Sequence, residues 1–357
     1  MPKQKISLFL PNLSGGGAQK VIVMLANNFV KRGLDVDLVL VNKSGPYLKN
    51  VNKYVNIVDL NKPRVLFAII SLFQYFKKNN PDAVLVTIHH ISMAVIIAYV
   101  LSKASSNVII RQPNYLSKTI PQNFFSKYYL KIVRFFYNKS NRIVAISNGV
   151  SSNLKNNGIN KVTTIYNPLE SDVIELASHK VNLRKTKPLI IGVGRLERQK
   201  NFSLLINAFA KVLESLDADL IILGDGSLRI DLENQVRTLN IAEHVKFLGY
   251  IDNPYPYIKK ADVLVLSSLW EGFGNVILES LAIGTQVVST DCPSGPSEIL
   301  NNGEFGSLSL LNDSDDLAKK IVEAVKRPYD KKMLVKRSRD FAEDKISQQY
   351  LDILLTR

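Results

Sequence analysis

The sequence predicts an α/β chain of two doubly wound sheets, and three observations support this. Short Val- and Ile-rich runs without polar alternation read as parallel strands buried on both faces, and longer amphipathic runs separate them. The scheme runs once to about residue 166 and starts again near residue 189. Between the two passes, strand periodicity lapses in a polar stretch that opens with Asn167-Pro168-Leu169 and ends at Pro188, with Arg184, Lys185 and Lys187 inside it. Such alternation argues for helices packed on both faces of each sheet.

Taken in order, the first half should place strands at Ile6–Leu10, Val36–Val41, Ala83–Ile88, Val108–Arg111, Ile143–Ser147 and Val162–Tyr166. Helices are expected between them, for example Ala18–Arg32 after the Gly15-Gly16-Gly17 turn, and Arg64–Asn79. The second half should place strands at Leu189–Val193, Leu220–Leu223, Val245–Leu248, Val263–Ser267 and Gln286–Thr290. From about Asp330 the chain is charged and helix-like. The sheets are expected to face each other across a cleft, because ligands of open α/β sheets bind beyond the carboxyl ends of the strands.

Bulk properties narrow the class further. A chain of 357 residues with 46% apolar content suits two ordinary cores. A single cysteine, Cys292, excludes an internal disulfide and points to a reducing compartment. The apolar runs Val65–Phe73 and Ile91–Leu101 are too short to span a bilayer, and Pro11 interrupts what would otherwise resemble a signal peptide. Charge is unevenly spread: residues 1–170 carry 22 Lys and Arg against 5 Asp and Glu, whereas residues 171–357 carry 24 against 26. A basic half joined to a neutral half suggests separate partners, although simple solubility also accounts for it.

The most informative motif is Glu271-Gly-Phe-Gly-Asn-Val-Ile-Leu-Glu279. A strand-like run, 261–268, precedes it and a helix-like run, 275–283, starts inside it, so Glu271 should lie on the loop and Glu279 on the helix. Eight residues at helical rise span roughly 12 Å. That distance matches the separation of sugar and ribose in a nucleotide-sugar. The helix N-terminus would offer free N–H groups of Phe273, Gly274, Asn275 and Val276 to the diphosphate. Upstream, Arg195 and Lys200 follow a strand ending in Gly192-Val-Gly194, and Gly224-Asp225-Gly226 ends the next strand. Two cations so placed would stabilise a departing diphosphate with no metal. Taken alone, they also read as solvated charges in a turn beside Glu197 and Arg198.

This set resembles family 4 of the retaining glycosyltransferases, which adopt the GT-B fold. The likeness rests on Glu271–Glu279, on Gly194-Arg195-Leu196 with Lys200, on Gly224-Asp225-Gly226, on Gly15-Gly16-Gly17 and on Thr290-Asp291-Cys292-Pro293-Ser294-Gly295-Pro296, a variant found in bacterial surface-glycan enzymes. The resemblance implies catalytic roles for Glu271, Arg195 and Lys200. It implies donor contacts from Gly16, Gly17, Arg195, Lys200, Gly224, Phe273, Gly274, Asn275, Val276 and Glu279. It also implies an acceptor-binding domain at 1–168, a nucleotide-sugar-binding domain at 169–335 and a C-terminal helix at 336–357 that returns to the first domain.

One position departs from the family pattern. Where the family's N-terminal domain carries a histidine, this chain reads Arg111-Gln112-Pro113-Asn114. Arg111, Gln112, Asn114, or His89 at the preceding strand end, with His90 beside it, would have to serve the acceptor. Asp35-Val-Asp37 spells a DxD metal motif but opens a strand too early in the chain, and is read as structural. Four histidines and one cysteine do not make a zinc framework. The run 124–142 interleaves aromatic and basic residues, which suits an anionic membrane interface, packing on the sheet, or stacking on nucleic acid.

The expected function is transfer of a hexose or N-acetylhexosamine from a nucleotide-sugar, UDP-linked by family frequency, to a lipid-linked glycan in bacterial surface polysaccharide biosynthesis. No cofactor, metal or nucleic acid is expected. The basic half should meet an anionic membrane surface, which places the protein in the cytoplasm, peripheral on the inner face of the cell membrane. The rival readings are a GT-B UDP-sugar epimerase and a non-catalytic basic adaptor.

Overall fold

The computed structural model describes residues 4–116 and 126–356. The chain divides into two compact units, Met1–Pro168 with Glu343–Arg357, and Leu169–Ala342.

The first unit is built on a seven-stranded parallel sheet of order β3-β2-β1-β4-β5-β6-β7. Its strands are β1 (Lys5–Leu10), β2 (Asp35–Leu40), β3 (Asn56–Asp59), β4 (Ala83–Thr87), β5 (Asn107–Gln112), β6 (Arg142–Ala145) and β7 (Val162–Thr164). Its helices in that stretch are α1 (Gly17–Lys31), α2 (Ile69–Asn79), α3 (His89–Ser102), α4 (Ser126–Tyr137) and α5 (Asn148–Asn156). A 3-10 turn, Val65–Ala68, leads into α2, so the helix expected from Arg64 is α-helical only from Ile69.

The strand order reverses between β1 and β4, and this requires helices on both faces. The carboxyl ends of β1 and β4 at that reversal carry Gly16 and His89, which is where open α/β sheets place ligands. Residues Ile6, Leu8 and Leu10 of β1 and Val36, Leu38 and Leu40 of β2 share one core with Val21, Ile22, Leu25 and Phe29 of α1. Burial of each such side chain stabilises by about 1.5–3 kcal/mol before chain entropy is charged. The last helix of the chain, Glu343–Leu355, packs on α1, β4 and β5 and adds Ile346, Tyr350 and Leu354 to that core.

The second unit holds a six-stranded parallel sheet of order β10-β9-β8-β11-β12-β13. Helix α6 (Val173–Leu176) precedes β8 (Leu189–Val193), α7 (Phe202–Val212), β9 (Asp219–Leu223), α8 (Arg229–Thr238) and β10 (Val245–Gly249). Then come α9 (Tyr255–Lys260), β11 (Val263–Leu266), α10 (Asn275–Ile283), β12 (Gln286–Thr290), α11 (Pro296–Ile299), β13 (Ser307–Ser309), α12 (Ser314–Lys326) and α13 (Lys331–Ser338). The helix over Glu343–Leu355 is α14. Strands β8 and β11 lie side by side, with Val263 beside Ile190, so the loops that leave their carboxyl ends are neighbours.

Two short strands, β3 and β13, carry no legible signal in the sequence. Each is an outer strand of its sheet, and Asn-Ile-Val-Asp and Ser-Leu-Ser are too short and too polar to show the apolar run of a buried strand. The DxD pair is accounted for by local packing. Asp37 is buried, accepts from Tyr75 and from Asn56 Nδ2, and faces Lys5 Nζ at 3.1 Å, while Asp35 lies 3.7 Å from the same lysine.

Candidate active site

In the second unit the β8 and β11 loops are tied together at several points. Lys200 Nζ lies 2.6 Å from Glu271 Oε1, and Ser268 Oγ donates to that same oxygen at 2.7 Å. Ser267 Oγ donates to the Lys200 carbonyl at 2.9 Å, Leu269 N–H to the Gln199 carbonyl at 2.8 Å, and Gln199 Nε2 to the Trp270 carbonyl at 2.9 Å. The Lys200 and Glu271 side chains are 19% and 8% exposed, so the ion pair is largely withdrawn from water yet open on one side. Such a pair contributes little net stability, because desolvation offsets the attraction, but it holds a cation and an anion in fixed places. Arg195, on the same β8 loop, is exposed and makes no side-chain bond among the described residues.

Gly274 stands at φ +98 immediately before α10, a conformation that glycine adopts without penalty. No side chain caps that helix and its first turn carries no acid, so the positive end of its dipole faces the loop that carries Glu271 without a carboxylate of its own. Phe273 is buried with its ring 5.7 Å from that of Phe341, so the ring is part of the packing of this unit. At the next strand end, a Cβ on Gly224 would sit 1.8 Å from the Gly194 carbonyl oxygen, so the β8 and β9 loops approach too closely for any side chain there.

Glu279 lies half-buried on α10. Its Oε1 is 3.3 Å from the hydroxyl of Tyr255, which opens α9, and that hydroxyl lies 2.7 Å from Glu170 Oε2. Burial, then the charges of Glu279 and Glu170, push the Tyr255 phenol far up, so it stays a donor. Neither Tyr255 nor Glu170 was legible in the sequence, since their meeting depends on an 85-residue loop closure. Burial, reinforced by the Glu271 carboxylate, raises the Cys292 thiol to about 12 and keeps it protonated at neutral pH.

In the first unit Gly16 precedes α1 and Gly17 opens it, at the carboxyl edge of β1. His89 opens α3 and does not end a strand, because β4 stops at Thr87. The intervening Ile88 sits at φ +73, which a β-branched residue adopts only under strain of about 1–3 kcal/mol. His89 Nε2 is 2.8 Å from the Tyr129 hydroxyl and its Nδ1 is 3.3 Å from that of Tyr137. Tyr137 donates to Gln112 Oε1 at 2.9 Å, and Gln112 Nε2 donates to the Asn114 carbonyl at 2.8 Å. Because Tyr137 spends its proton on Gln112, His89 donates to it from Nδ1, and with that proton alone the ring accepts from Tyr129 at Nε2. That is a neutral imidazole, and burial, then His90, lowers its pKa to about 4.

Arg111 stands apart from this chain of bonds. Its buried guanidinium donates to Tyr350 (Nε, 3.1 Å), Thr87 (Nη1, 3.2 Å) and Asn167 (Nη2, 2.6 Å), which ties β4 and β5 to α14 and to the end of the unit. Its contacts are therefore internal to the core. Of the aromatic-basic run, Phe124 and Phe125 lie outside the described residues, as does the side chain of Lys127.

Two parallel Rossmann-like sheets, with a cation–carboxylate pair beside an uncapped helix in the second, define a glycosyltransferase of the GT-B fold. Residues 15–173 match the family described as Glycosyltransferase Family 4, residues 173–341 match Glycosyl transferases group 1, and the chain belongs to this family. Among curated relatives, a Campylobacter jejuni N-acetylgalactosamine-N,N'-diacetylbacillosaminyl-diphospho-undecaprenol 4-alpha-N-acetylgalactosaminyltransferase is 28% identical over 99% of this chain and 100% of its own. Among solved structures, a glycosyltransferase from Rickettsia africae superposes with a TM-score of 0.82 at 19% identity, covering 99% of this chain and 98% of that one. Anabaena HepE, solved with UDP and glucose, superposes with a TM-score of 0.83 at 19% identity, covering 99% and 100%.

Proposed function

We propose that the second unit binds a UDP-sugar, and that the enzyme transfers its hexose or N-acetylhexosamine, with retention and without a metal, to a lipid-linked glycan held by the first unit. The reading rests on the Lys200–Glu271 pair beside the uncapped start of α10. Lys200, Arg195 and the α10 N–H groups would receive the diphosphate, Glu271 the sugar hydroxyls and Glu279 the ribose. The bond from the anomeric carbon to the diphosphate oxygen breaks while an acceptor hydroxyl attacks from the same face. The acceptor proton passes to the leaving phosphate oxygen, and UDP departs with both electrons of the broken bond. Charge gathers on the diphosphate in the transition state, and fixed cations and helix N–H groups stabilise it there.

The names of related proteins support the choice of substrates, through UDP and glucose for HepE and a diphospho-undecaprenol glycan for the Campylobacter jejuni enzyme. Among the described residues no helix is long and apolar enough to cross a membrane. A lipid-linked acceptor then calls for contact at the cytoplasmic membrane surface, which the basic first unit would supply. On the acceptor side, half-buried His89 and Asn114 would supply the polar edge in place of the family histidine, held from behind by buried Gln112.

The test is proton NMR of the product formed from UDP-hexoses and UDP-N-acetylhexosamines with a diphospholipid-linked acceptor, with and without a chelator. An α-linked product from an α-linked donor, formed at an unchanged rate under chelation, is expected. Donor epimerisation without transfer would overturn the reading, and an inverted product would overturn its stereochemistry.

A further inference from the structure

The helical layer formed by the Val65–Ala68 turn, α2, α3 and α4 has a composition that the transfer chemistry does not explain. These elements pack side by side on one face of the first sheet, while α1 and α14 cover the other. Large hydrophobic side chains lie exposed on this layer. Leu66, Phe67 and Ile70 are 76%, 61% and 71% exposed, and Tyr128, Ile132 and Phe135 stand out from α4. Of the exposed large hydrophobic residues described in this unit, only Tyr54 lies off the layer.

Charge on the same stretch is one-sided. Between residues 60 and 169 there are 14 Lys and Arg and one acid, Asp82. Arg64 flanks the Leu66 ridge, and Lys131 and Arg134 are exposed on α4 among its aromatics. Lys131 Nζ lies 5.8 Å from the Tyr128 ring centre and Lys139 Nζ 5.3 Å from that of Phe135. Cations that lie over aromatic rings, beside aliphatic groups in water, suit the boundary between lipid headgroups and acyl chains.

Other occupants fit less well. A second copy would set this acid-free surface against itself, and like charges would meet across a symmetric interface. Nucleic acid would reward the cations and the rings but would gain nothing from exposed Leu66, Ile70 and Ile132.

We propose that this layer docks on an anionic bilayer, with Leu66, Phe67 and Ile70 entering the interface and the α4 cations meeting headgroup phosphates. The proposal rests on the reading of a lipid-linked acceptor and deepens it. The Val65–Ala68 turn follows β3 and packs on α3, and His89 follows β4, so the ridge and the acceptor edge share the carboxyl side of the sheet. Docking there brings His89 to headgroup level.

The test is co-sedimentation of the full chain with vesicles of phosphatidylcholine alone or with about one-third phosphatidylglycerol, at low and high salt. The wild type should prefer the anionic vesicles and keep part of its binding at high salt. The triple variant Leu66→Ser, Phe67→Ser, Ile70→Ser should bind about tenfold more weakly at both salt levels. The pair Lys131→Glu, Arg134→Glu should lose the salt-sensitive part alone. Turnover on a water-soluble acceptor should stay at the wild-type level in both variants, which separates this proposal from the functional reading. Wild-type binding by the triple variant, no vesicle preference in the wild type, or self-association that the triple variant abolishes would each overturn the proposal, whatever the turnover.

Discussion

Lys200 and Glu271, 71 residues apart, meet at 2.6 Å where the β8 and β11 loops run side by side, and Ser268 donates to the same carboxylate oxygen. Lys200→Ala would leave Glu271 with its serine donor but no cation, and would strip the proposed diphosphate site of one charge. Transfer should fall about 10²–10³-fold in kcat. Stability should fall by about 1–2 kcal/mol, less than for a fully buried pair because Lys200 keeps some water contact. Steady-state kinetics and urea unfolding read the two effects separately.

Tyr255 stands between Glu170 and Glu279 and keeps its proton. Tyr255→Phe should loosen the Glu279 carboxylate, raising KM for the donor severalfold with a smaller change in kcat. Discrimination between UDP and 2′-deoxy-UDP should narrow in parallel, as calorimetric titration of the two nucleotides would show. Equal discrimination in the variant would remove Tyr255 from the proposed ribose site.

His89 titrates near 4 in the fold and near 6.5 when unfolded. Between those values the unfolded chain binds the proton that the folded chain refuses, so stability is full above about pH 6.5 and declines as pH falls toward about 4. His89→Gln should flatten that slope by about 1 kcal/mol, a figure discounted because the ring is partly exposed. Denaturant midpoints at pH 5 and pH 7 for both proteins give the comparison.

Arg111 donates from three guanidinium nitrogens to neutral acceptors inside the first unit. Arg111→Ala should cost about 3 kcal/mol or more, since it empties a large buried volume and leaves Asn167, Thr87 and Tyr350 without their donor. Folded variant should still bind UDP as the wild type does. A normal melting temperature would contradict this.

The layout of the candidate site was legible where local signals sufficed. Glu271, Gly274 and Glu279 fall within nine residues, and a strand-to-helix transition read from hydrophobic pattern places them on loop, cap and helix. Lys200 was legible as a cation after a strand, but its pairing was not, because it depends on β8 and β11 being neighbours. Tyr255, Glu170 and the His89–Tyr137 contact come from distant segments that only tertiary structure joins. Arg111 shows the opposite failure. A charged strand end looked ligand-facing, yet α14 returns to the first sheet and supplies Tyr350 as an internal partner.

The most direct measurement is the melting shift of the wild type and of Glu279→Ala with UDP, GDP, ADP and CMP. A nucleotide at about 100 times its Kd adds about 2.7 kcal/mol to the folded state. The account predicts a shift with UDP alone, and its loss in Glu279→Ala. A shift with another nucleotide and none with UDP, or a UDP shift undiminished in Glu279→Ala, would contradict it.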